Sequence, residues 1–424
     1  MSGTIGSNIL SHSGIIAETA AGLSWSDTIV TGSTVTVEAG KGYWIDTTSN
    51  ACTITLPSSA EAGDQIVIVD YARNWGTNSV TLDSNGLNFQ GDDDTYTVEY
   101  TTDGQSVNLI YSDSTKGWLP LEDDVVADEP EVPPTQKGIY AFGYTSDYTN
   151  ISNLVGSNGV IGSDVTGVGT SRGKLAAATY GIDKAIFAYG TTGSVSSLKN
   201  LVSNSGVVAS DTTGVGTARI NPAATGYDGD KAIFGYGSPG SGNSLSMTNL
   251  VNSSGVVGSD VSGVGTARYD LAAVSYGISG QAMFAYGQTG SKLSLKNLVS
   301  NSGVVASDTT GVGTARSGLG ASKYGTGLAA FAYGNSGSYV NVKNLVNISG
   351  VIGSDVSGVG TARNSAIGTS YGGDKGIFAY GYAGGASGVS MSNLLSNLGV
   401  IGSDVSGVGS TRYSQGAAGY STSA

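Results

Sequence analysis

The sequence predicts an all-β protein with more than one domain, and three observations support this. Gly provides 68 of the 424 residues, and with Ser, Thr, Asn and short β-branched runs this is typical of many short strands joined by tight turns. Hydrophobic residues make up 39% of the chain and charged residues 12%, so packed cores can form. The third observation is an internal repeat that fills the C-terminal two thirds of the chain.

The repeat is clearest from Asn200 to Arg219, NLVSNSGVVASDTTGVGTAR, because the same residues recur from Asn297 to Arg316. Each copy is followed by an Ala-rich stretch closing on Tyr-Gly and then by an aromatic segment such as KAIFAYG. Such duplication indicates several units of one architecture. Near-copies end at four further arginines, Arg172, Arg268, Arg363 and Arg412.

The length of the repeat, about 47 residues, fits four short strands, which is one blade of a β-propeller. We expect strands at the KAIFAYG segment, at NLV with SGVV, at GVGTAR and at the Ala-rich stretch. Residues 138–424 are therefore predicted to form a six-bladed β-propeller. The array begins on an aromatic segment and ends on an Ala-rich one, so the C-terminal strand should pair with the first repeat and close the ring.

Residues 31–121 alternate apolar and polar residues with period two, as in TITLP and DQIVIVDY. This alternation places one face of a strand on a core, through residues such as Ile54, Leu56, Ile66 and Ile68. All four tryptophans lie before residue 122 and none lies in the repeats. We therefore expect a separate β-sandwich-like domain over 31–121.

Two further segments complete the domain organisation. Residues 1–30 are predicted to be an arm that orders on a neighbouring molecule through Ile9, Leu10, Ile15 and Ile16, or else a frayed terminus. Residues 122–137, EDDVVADEPEVPPTQK, combine carboxylates with prolines and should be an extended, semi-rigid linker.

Composition limits the function classes. The net charge is −13, and the basic residues of the repeats are evenly spread, so no nucleic-acid partner is expected. No apolar run reaches about 18 residues, so no membrane insertion is expected. His12 and Cys52 are the only residues of their types, which leaves no Ser-His-Asp triad, Cys-His pair or His-rich metal site. We predict no catalytic residue, metal or cofactor, although Ser-Lys or paired-carboxylate chemistry stays open.

An aspartate stands eight residues before each repeat arginine. A ring of these side chains could bind an ion or a glycan, or each Asp could satisfy turn amides while each Arg bridges blades through backbone carbonyls. Catalysis needs carboxylates in different environments, and repeated ones are equivalent, so we expect the structural role. The six are Asp164, Asp211, Asp260, Asp308, Asp355 and Asp404.

Four tyrosines in predicted exposed loops, Tyr144, Tyr148, Tyr339 and Tyr382, are the candidate recognition residues. Tyrosine offers an apolar face and a hydroxyl, which suits contact with sugars or proteins. The repeats differ most in the loops after the aromatic segment, where rigid scaffolds often carry recognition.

These motifs resemble known families. The order of Arg, Ala-rich strand and aromatic strand resembles the kelch repeat, with Tyr-Gly in place of the Gly pair and without the blade tryptophan. The pattern TAR-x3-AA-x-YG-x-DKAIFAYG resembles repeats of structural proteins from marine bacteriophages. TITLP, AGDQIVIVDYA and LIYSDSTKGW are similar to modules of phage tail-fibre and virion-surface proteins.

The resemblance implies a non-enzymatic virion surface protein, a tail fibre or a capsid-surface fibre or decoration protein, that is made in the host cytoplasm. It would contact other virion proteins through its N-terminal region and a host cell-surface glycan or protein through the propeller. It implies a homo-oligomer as well. The alternatives are a glycan-cleaving phage spike enzyme and a cellular kelch-type interaction adaptor.

Overall fold

The computed structural model describes residues 9–12 and 15–18 as backbone, and residues 23–92, 98–121, 134–240, 242–385 and 387–424 in full. These residues form β-strands and no helix, so the all-β prediction is confirmed. The chain divides into two compact units, Met1–Glu131 and Val132–Ala424. The division falls within the predicted linker, of which residues 122–133 lie outside the described part.

The predicted arm contains three strands. β1 (Ile9–His12) and β2 (Ile15–Glu18) pair antiparallel, and the side chains of Ile9, Leu10, Ile15 and Ile16 on these strands lie outside the description. β3 (Ser24–Val30) pairs with a strand of the following domain. β3, which is predicted from the sequence as part of the arm, thus belongs to the same sheet as β5 of the predicted domain.

The other strands of the N-terminal unit are β4 (Thr34–Thr36), β5 (Lys41–Ile45), β6 (Cys52–Thr55), β7 (Gln65–Asp70), β8 (Val80–Asp83), β9 (Val98–Tyr100), β10 (Ser106–Tyr111) and β11 (Trp118–Pro120). They form a five-stranded sheet, β11-β10-β7-β5-β3, and a four-stranded sheet, β4-β6-β8-β9. From β3 to β8, successive strands alternate between the sheets and pair in parallel within each. This topology differs from an antiparallel β-sandwich and is that of three stacked coils.

Both sheets of the N-terminal unit contribute to one core. The inward residues of β7, Ile66 and Ile68, are fully buried, as are Ile54 on β6 and Leu109 on β10. The alternation of apolar residues therefore predicted the buried faces correctly. It could not predict parallel pairing, because period two is the same for both directions.

The strands of the C-terminal unit are β12 (Lys137–Tyr144), β13 (Tyr148–Val155), β14 (Ala176–Tyr180), β15 (Lys184–Ala188), β16 (Lys199–Val202), β17 (Ala223–Tyr227), β18 (Lys231–Gly235), β19 (Thr248–Val251), β20 (Ala272–Tyr276), β21 (Gln281–Ala285), β22 (Lys296–Val299), β23 (Gly320–Tyr324), β24 (Leu328–Ala332), β25 (Lys343–Val346), β26 (Ile367–Tyr371), β27 (Lys375–Ala379), β28 (Ser392–Leu395) and β29 (Gly416–Tyr420). They form six three-stranded sheets, each with an aromatic strand in the middle. We number them in chain order: sheet 1 is β13-β12-β29, sheet 2 is β14-β15-β16, and sheet 6 is β26-β27-β28.

The predicted fourth strand does not form. After β16, the chain makes only isolated bridges, between Val202 and Val208 and between Lys199 and Thr212. Gly206 and Gly216 have φ values of 80° and 79°, which is left-handed backbone that interrupts an extended strand. GVGTAR is therefore an irregular segment, and it ends at the buried repeat arginine.

The six sheets contact one another in cyclic order. The Ala-rich strands β14, β17, β20, β23, β26 and β29 each pack against the preceding and the following one, and β29 packs against β14. β29 also pairs antiparallel with β12, with Ala141 opposite Gly416, which confirms the predicted pairing of the C-terminal strand with the first repeat. Small hydrophobic cores fill the spaces between neighbouring sheets, as where Phe142 of sheet 1 meets Phe187 of sheet 2.

Candidate functional site

The repeat arginines lie between neighbouring sheets, and all six are fully buried. Arg268 lies over the ring of Tyr236 in sheet 3, with 4.3 Å from Cζ to the ring centroid. In sheet 4, its Nε donates to Tyr286 O at 2.8 Å and its Nη2 to Asn297 Oδ1 at 2.7 Å. Each arginine thus joins two sheets, and we call this contact an arginine seam. Five of the six arginines donate to a backbone carbonyl of the neighbouring sheet, as predicted. Arg219 instead reaches that sheet through the side chain of Asn249.

The repeat aspartates complete the seams. Asp308 accepts hydrogen bonds from Thr266 N at 2.9 Å and Thr266 Oγ1 at 2.6 Å, in the preceding repeat, and from Asn297 Nδ2 at 2.9 Å. Partial burial, the largest single influence, raises the pKa of Asp308, but these hydrogen bonds and Arg268 together lower it below 3.8. The carboxylates therefore bind turn amides, as predicted, although the amides belong to the neighbouring repeat.

Burial raises the pKa of the aspartates but lowers the pKa of the arginines. It lowers the pKa of Arg172 to about 10, while the charge of Asp211 opposes that effect. The guanidinium stays charged at neutral pH. Each seam therefore contains a buried cation that contacts carbonyl oxygens, a side-chain amide and an aromatic ring. These contacts hold two neighbouring sheets in a defined position.

The Ala-rich strands define two ends of the C-terminal unit. At the end where these strands finish, their Tyr-Gly turns bond in a cycle, for example from Gly181 N to Asp230 O at 2.6 Å. The chain enters the unit at this turn end, where Gln136 N donates to Ser421 O at 2.7 Å and Thr135 Oγ1 lies 3.0 Å from Ser370 Oγ. The variable loops lie at the opposite end, because the aromatic strands run antiparallel to the Ala-rich ones.

The opposite end carries the four predicted tyrosines, in contact with one another through Tyr413. Ring centroids are 5.4 Å apart for Tyr148 and Tyr144, 5.5 Å for Tyr144 and Tyr413, 5.3 Å for Tyr413 and Tyr382, and 5.8 Å for Tyr382 and Tyr339. All five are half-buried rather than fully exposed. Tyr144 ends β12 and Tyr148 begins β13, so these two lie on strands and not in a loop. We call these five residues the tyrosine cluster and this end the tyrosine end.

Tyr413 was missed from the sequence because it directly follows a repeat arginine and resembles Tyr269 in position. Nothing local distinguishes the two. Tyr413 meets the others because β29 pairs with β12, which places the last repeat beside the first. The pairing of the chain ends was the signal that could have identified it.

A cavity of about 350 Å³ lies beside the cluster. It is lined by Tyr382 and Tyr413 and by the residues that precede the Ala-rich strands, with one such segment from each sheet. These segments bond to one another through the backbone, for example Asn221 N to Lys174 O at 2.8 Å. The polar or charged members of the lining are Lys174, Asn221, Asp270, Asn364, Ser365, Ser414 and Gln415.

The backbone around the cavity is strained. Lys174, Asn221, Asp270, Ser365 and Ser414 all have φ between 50° and 56°, in the left-handed region that side chains disfavour. Such residues cost of order 1 kcal/mol each and concentrate at ligand sites and switch regions. The cavity is therefore held in shape by the surrounding sheets.

Comparison with known proteins gives no identification: no family model matches the chain, and no curated protein matches its sequence. Across the described residues, no helix is long and apolar enough to span a bilayer. Within the same part of the chain, no group of three or more His, Cys, Asp or Glu is placed to hold a metal ion. The tyrosine end combines a cavity, an aromatic cluster and a strained backbone.

Proposed function

We propose that the protein is a non-enzymatic surface component of a bacteriophage virion, and that its C-terminal unit is a six-bladed, kelch-like β-propeller that contacts the host cell. The observation that carries the proposal is the tyrosine cluster, at the end opposite to that at which the chain enters the unit. A recognition surface on a phage appendage needs such a position, because the attachment point and the host contact must not compete for the same end.

Three observations support the closed propeller. The Ala-rich strands pack in an unbroken cycle of six. β29 supplies the strand that sheet 1 would otherwise lack. Between the last and first repeats, Ser410 N and Oγ donate to Asp164 at 3.0 and 2.6 Å, which repeats the bonds of Thr266 to Asp308. A ring closed in this way has few free strand edges and presents its end loops rigidly.

The N-terminal unit is proposed to attach the protein to other virion proteins, with homo-oligomers as the assembled form. Its β3 is the edge strand of the five-stranded sheet. Trp25 and Ile29 on this strand are 42% and 41% exposed. An edge strand with exposed large apolar residues is typical of a surface that pairs with another chain.

The charge of the cavity favours binding over glycan cleavage. Glycosidases usually need two carboxyl groups flanking the scissile bond, and Asp270 is the one acidic residue of the lining. Burial raises the pKa of Asp270, against the hydrogen bond from Gln288 and the charges of Lys292 and Lys174. A single carboxyl group of this kind fits a hydrogen-bonding role.

Proteomics of purified phage particles tests the location. We expect the protein in virions at a fixed ratio to the other structural proteins. Its absence from particles would leave the cellular adaptor as the better interpretation.

Replacing Tyr339 and Tyr382 together with Ser tests the host contact. We expect the binding of the purified full-length protein to host bacteria to fall roughly tenfold or more, since aromatic anchors dominate interface energetics. Tyr269→Ser is the matched control, because Tyr269 holds the position of Tyr413 in another repeat. Equal binding by the double variant and the control, both folded, would place the host contact elsewhere.

A further inference from the structure

The cavity at the tyrosine end contains one break in the repeat pattern. Gln415 directly precedes β29, where the other repeats have an apolar residue such as Leu175, Leu271 or Leu319. Gln415 is only 1% exposed and belongs to the cavity lining. A polar side chain has therefore replaced an apolar one at a buried position next to the tyrosines.

The hydrogen bonds of Gln415 fix its orientation. Its Nε2 donates to Ala379 O at 3.3 Å and to Ser365 O at 3.5 Å. Its Oε1 is buried and accepts no hydrogen bond from the described residues. Exchange of the two atoms would set Oε1 against two carbonyl oxygens, so the amide cannot satisfy itself by turning over. A buried acceptor without a donor is costly, so a water or a bound ligand has to supply the donor that the chain does not.

The remaining lining indicates the chemistry of that partner. Lys174 and Asp270 are the charged residues of the lining, so the cavity has no net charge and favours a neutral ligand. Asn221 and Asn364 add amide groups that can donate and accept hydrogen bonds. The partner must itself donate to Oε1. A hydroxyl-rich neutral molecule meets these conditions.

The tyrosines supply the apolar part of the same site. Tyr382 and Tyr413 line the cavity with ring centroids 5.3 Å apart. The negative face of an aromatic ring attracts C–H groups that carry a partial positive charge, and a sugar ring presents a row of these on one face. The volume of about 350 Å³ lies at the lower end of small-molecule pockets, which span about 300–1,000 Å³.

We infer that this cavity is a binding subsite for one neutral sugar unit, whose ring stacks on Tyr382 or Tyr413 and one of whose hydroxyls donates to Gln415 Oε1. The inference deepens the proposed host contact and rests on it for its biological setting. The chemistry of the site can be tested separately, on the purified full-length protein.

The test uses methyl glycosides of glucose, galactose, mannose, N-acetylglucosamine and rhamnose. Saturation-transfer NMR identifies binding, and calorimetry gives the affinity. We expect at least one glycoside to bind the wild type, and Gln415→Leu to weaken it roughly tenfold. This variant restores the residue found in other repeats, so it should fold. Leu271→Met is the control, because it changes the lining without changing its hydrogen bonds.

Monodeoxy derivatives of the best glycoside sharpen the test. The derivative that lacks the bound hydroxyl should bind the wild type roughly tenfold more weakly, and should bind Gln415→Leu no more weakly than the parent sugar does. Such coupling assigns the hydroxyl to Gln415. If Gln415 had only a structural role, Gln415→Leu would lower the melting temperature. It would also weaken the binding of the parent sugar and of the deoxy derivative by the same factor.

Two results would overturn the inference. If the wild-type protein binds none of the glycosides but still binds host bacteria, the host contact stays intact and a protein receptor is favoured. If Gln415→Leu binds the glycosides as well as the wild type does, a water satisfies Oε1 and the sugar does not contact Gln415. Sugar binding by a protein absent from virions would instead remove the proposed function and keep the subsite.

Discussion

The seam that joins sheet 6 to sheet 1 differs from the five seams between consecutive repeats. At a consecutive seam, Arg363 donates to Tyr380 O at 2.9 Å, Thr361 O at 3.0 Å and Asn393 Oδ1 at 2.7 Å. At the closing seam, Arg412 has one hydrogen bond, from Nη2 to Tyr140 O at 3.4 Å. Within the described residues, Arg412 Nε and Nη1 lack hydrogen-bond partners.

The closing seam has a different hydrogen bond in compensation. Tyr140 stands where the other repeats have Phe, and its buried hydroxyl donates to Ile377 O at 3.0 Å and Ile367 O at 3.2 Å in sheet 6. Burial raises the pKa of Tyr140 well above 10, so the hydroxyl remains a donor. All five consecutive seams keep the bond from the arginine Nη2 to an Asn Oδ1, whereas at the closing seam Asn153 Oδ1 has no hydrogen-bond partner among the described residues. The same seam carries Tyr413 and Gln415, so the tyrosine cluster lies where the first and last repeats meet.

Of the changes that test the closing seam, removal of Tyr413–Ala424 should lower the stability of the C-terminal unit most. It deletes β29, which pairs with β12 and packs against β14 and β26. The loss of several hundred Å² of apolar contact, at about 25 cal/mol per Å², together with the ladder bonds, amounts to several kcal/mol. We expect the C-terminal unit to melt about 10 °C lower or more, and to be less soluble because β12 has a free edge.

Calorimetry measures this effect, and the chain offers two controls. All four tryptophans lie in the N-terminal unit, so the transition seen by tryptophan fluorescence should not move. A shorter truncation after Ser421 keeps β29 and should melt like the full chain. An unchanged melting temperature after loss of β29 would contradict the closed ring.

The second prediction compares Arg268→Met with Arg412→Met. Loss of Arg268 leaves Asn297 Oδ1 and Tyr286 O without their donor, and should cost about 3–5 kcal/mol of unfolding free energy. Loss of Arg412 breaks fewer bonds and should cost about 2 kcal/mol less. Denaturant unfolding of both variants measures the difference. Equal costs would mean that ring stacking, which both arginines share, provides the stability of a seam.

Much of the C-terminal unit could be predicted because duplication shows directly in the sequence. The number of repeats predicted the number of sheets, and the offset between the first and last segments predicted the pairing of β29 with β12. The prediction of a strand at GVGTAR was wrong, because Gly216 has a left-handed φ of 79° and Thr217 bonds to Asp260 of the neighbouring repeat. Four of the five clustered tyrosines could be found because they fall in predicted loops, but their mutual contacts depend on the pairing of β29 with β12.

Less of the N-terminal unit could be predicted, for two physical reasons. Alternation identifies a buried face without identifying the partner strand, so parallel coils were not distinguished from an antiparallel sandwich. β3 was assigned to the arm because its residues are mostly exposed and it pairs along one edge only. Gln415 was missed because its significance lies in the buried, unpaired Oε1, which depends on the three-dimensional surroundings.

The smallest predicted loss of unfolding free energy comes from replacing a repeat aspartate. This loss should be the same at the closing seam as at a consecutive seam. Asp164 at the closing seam accepts from Ser410 N and Oγ, as Asp308 accepts from Thr266. For both, partial burial raises the pKa, and hydrogen bonds with the nearby arginine outweigh it, so that the folded value lies below 3.8. These carboxylates therefore stabilise the fold fully above pH 4, and that contribution is lost as the pH falls through the folded pKa.

Asp164→Asn and Asp308→Asn should each lower the unfolding free energy at pH 7 by about 1 kcal/mol or less, since the groups are partly exposed. As the pH falls through the folded pKa, the difference from the wild type should shrink, because the wild-type carboxyl groups are then becoming protonated. Denaturant unfolding at a series of pH values from 7 downwards measures this. A larger loss for Asp164→Asn would show that the carboxylate compensates for the missing bonds of Arg412. A difference that stays constant with pH would show that the Asp side chains act by shape and hydrogen bonding, with no contribution from their charge.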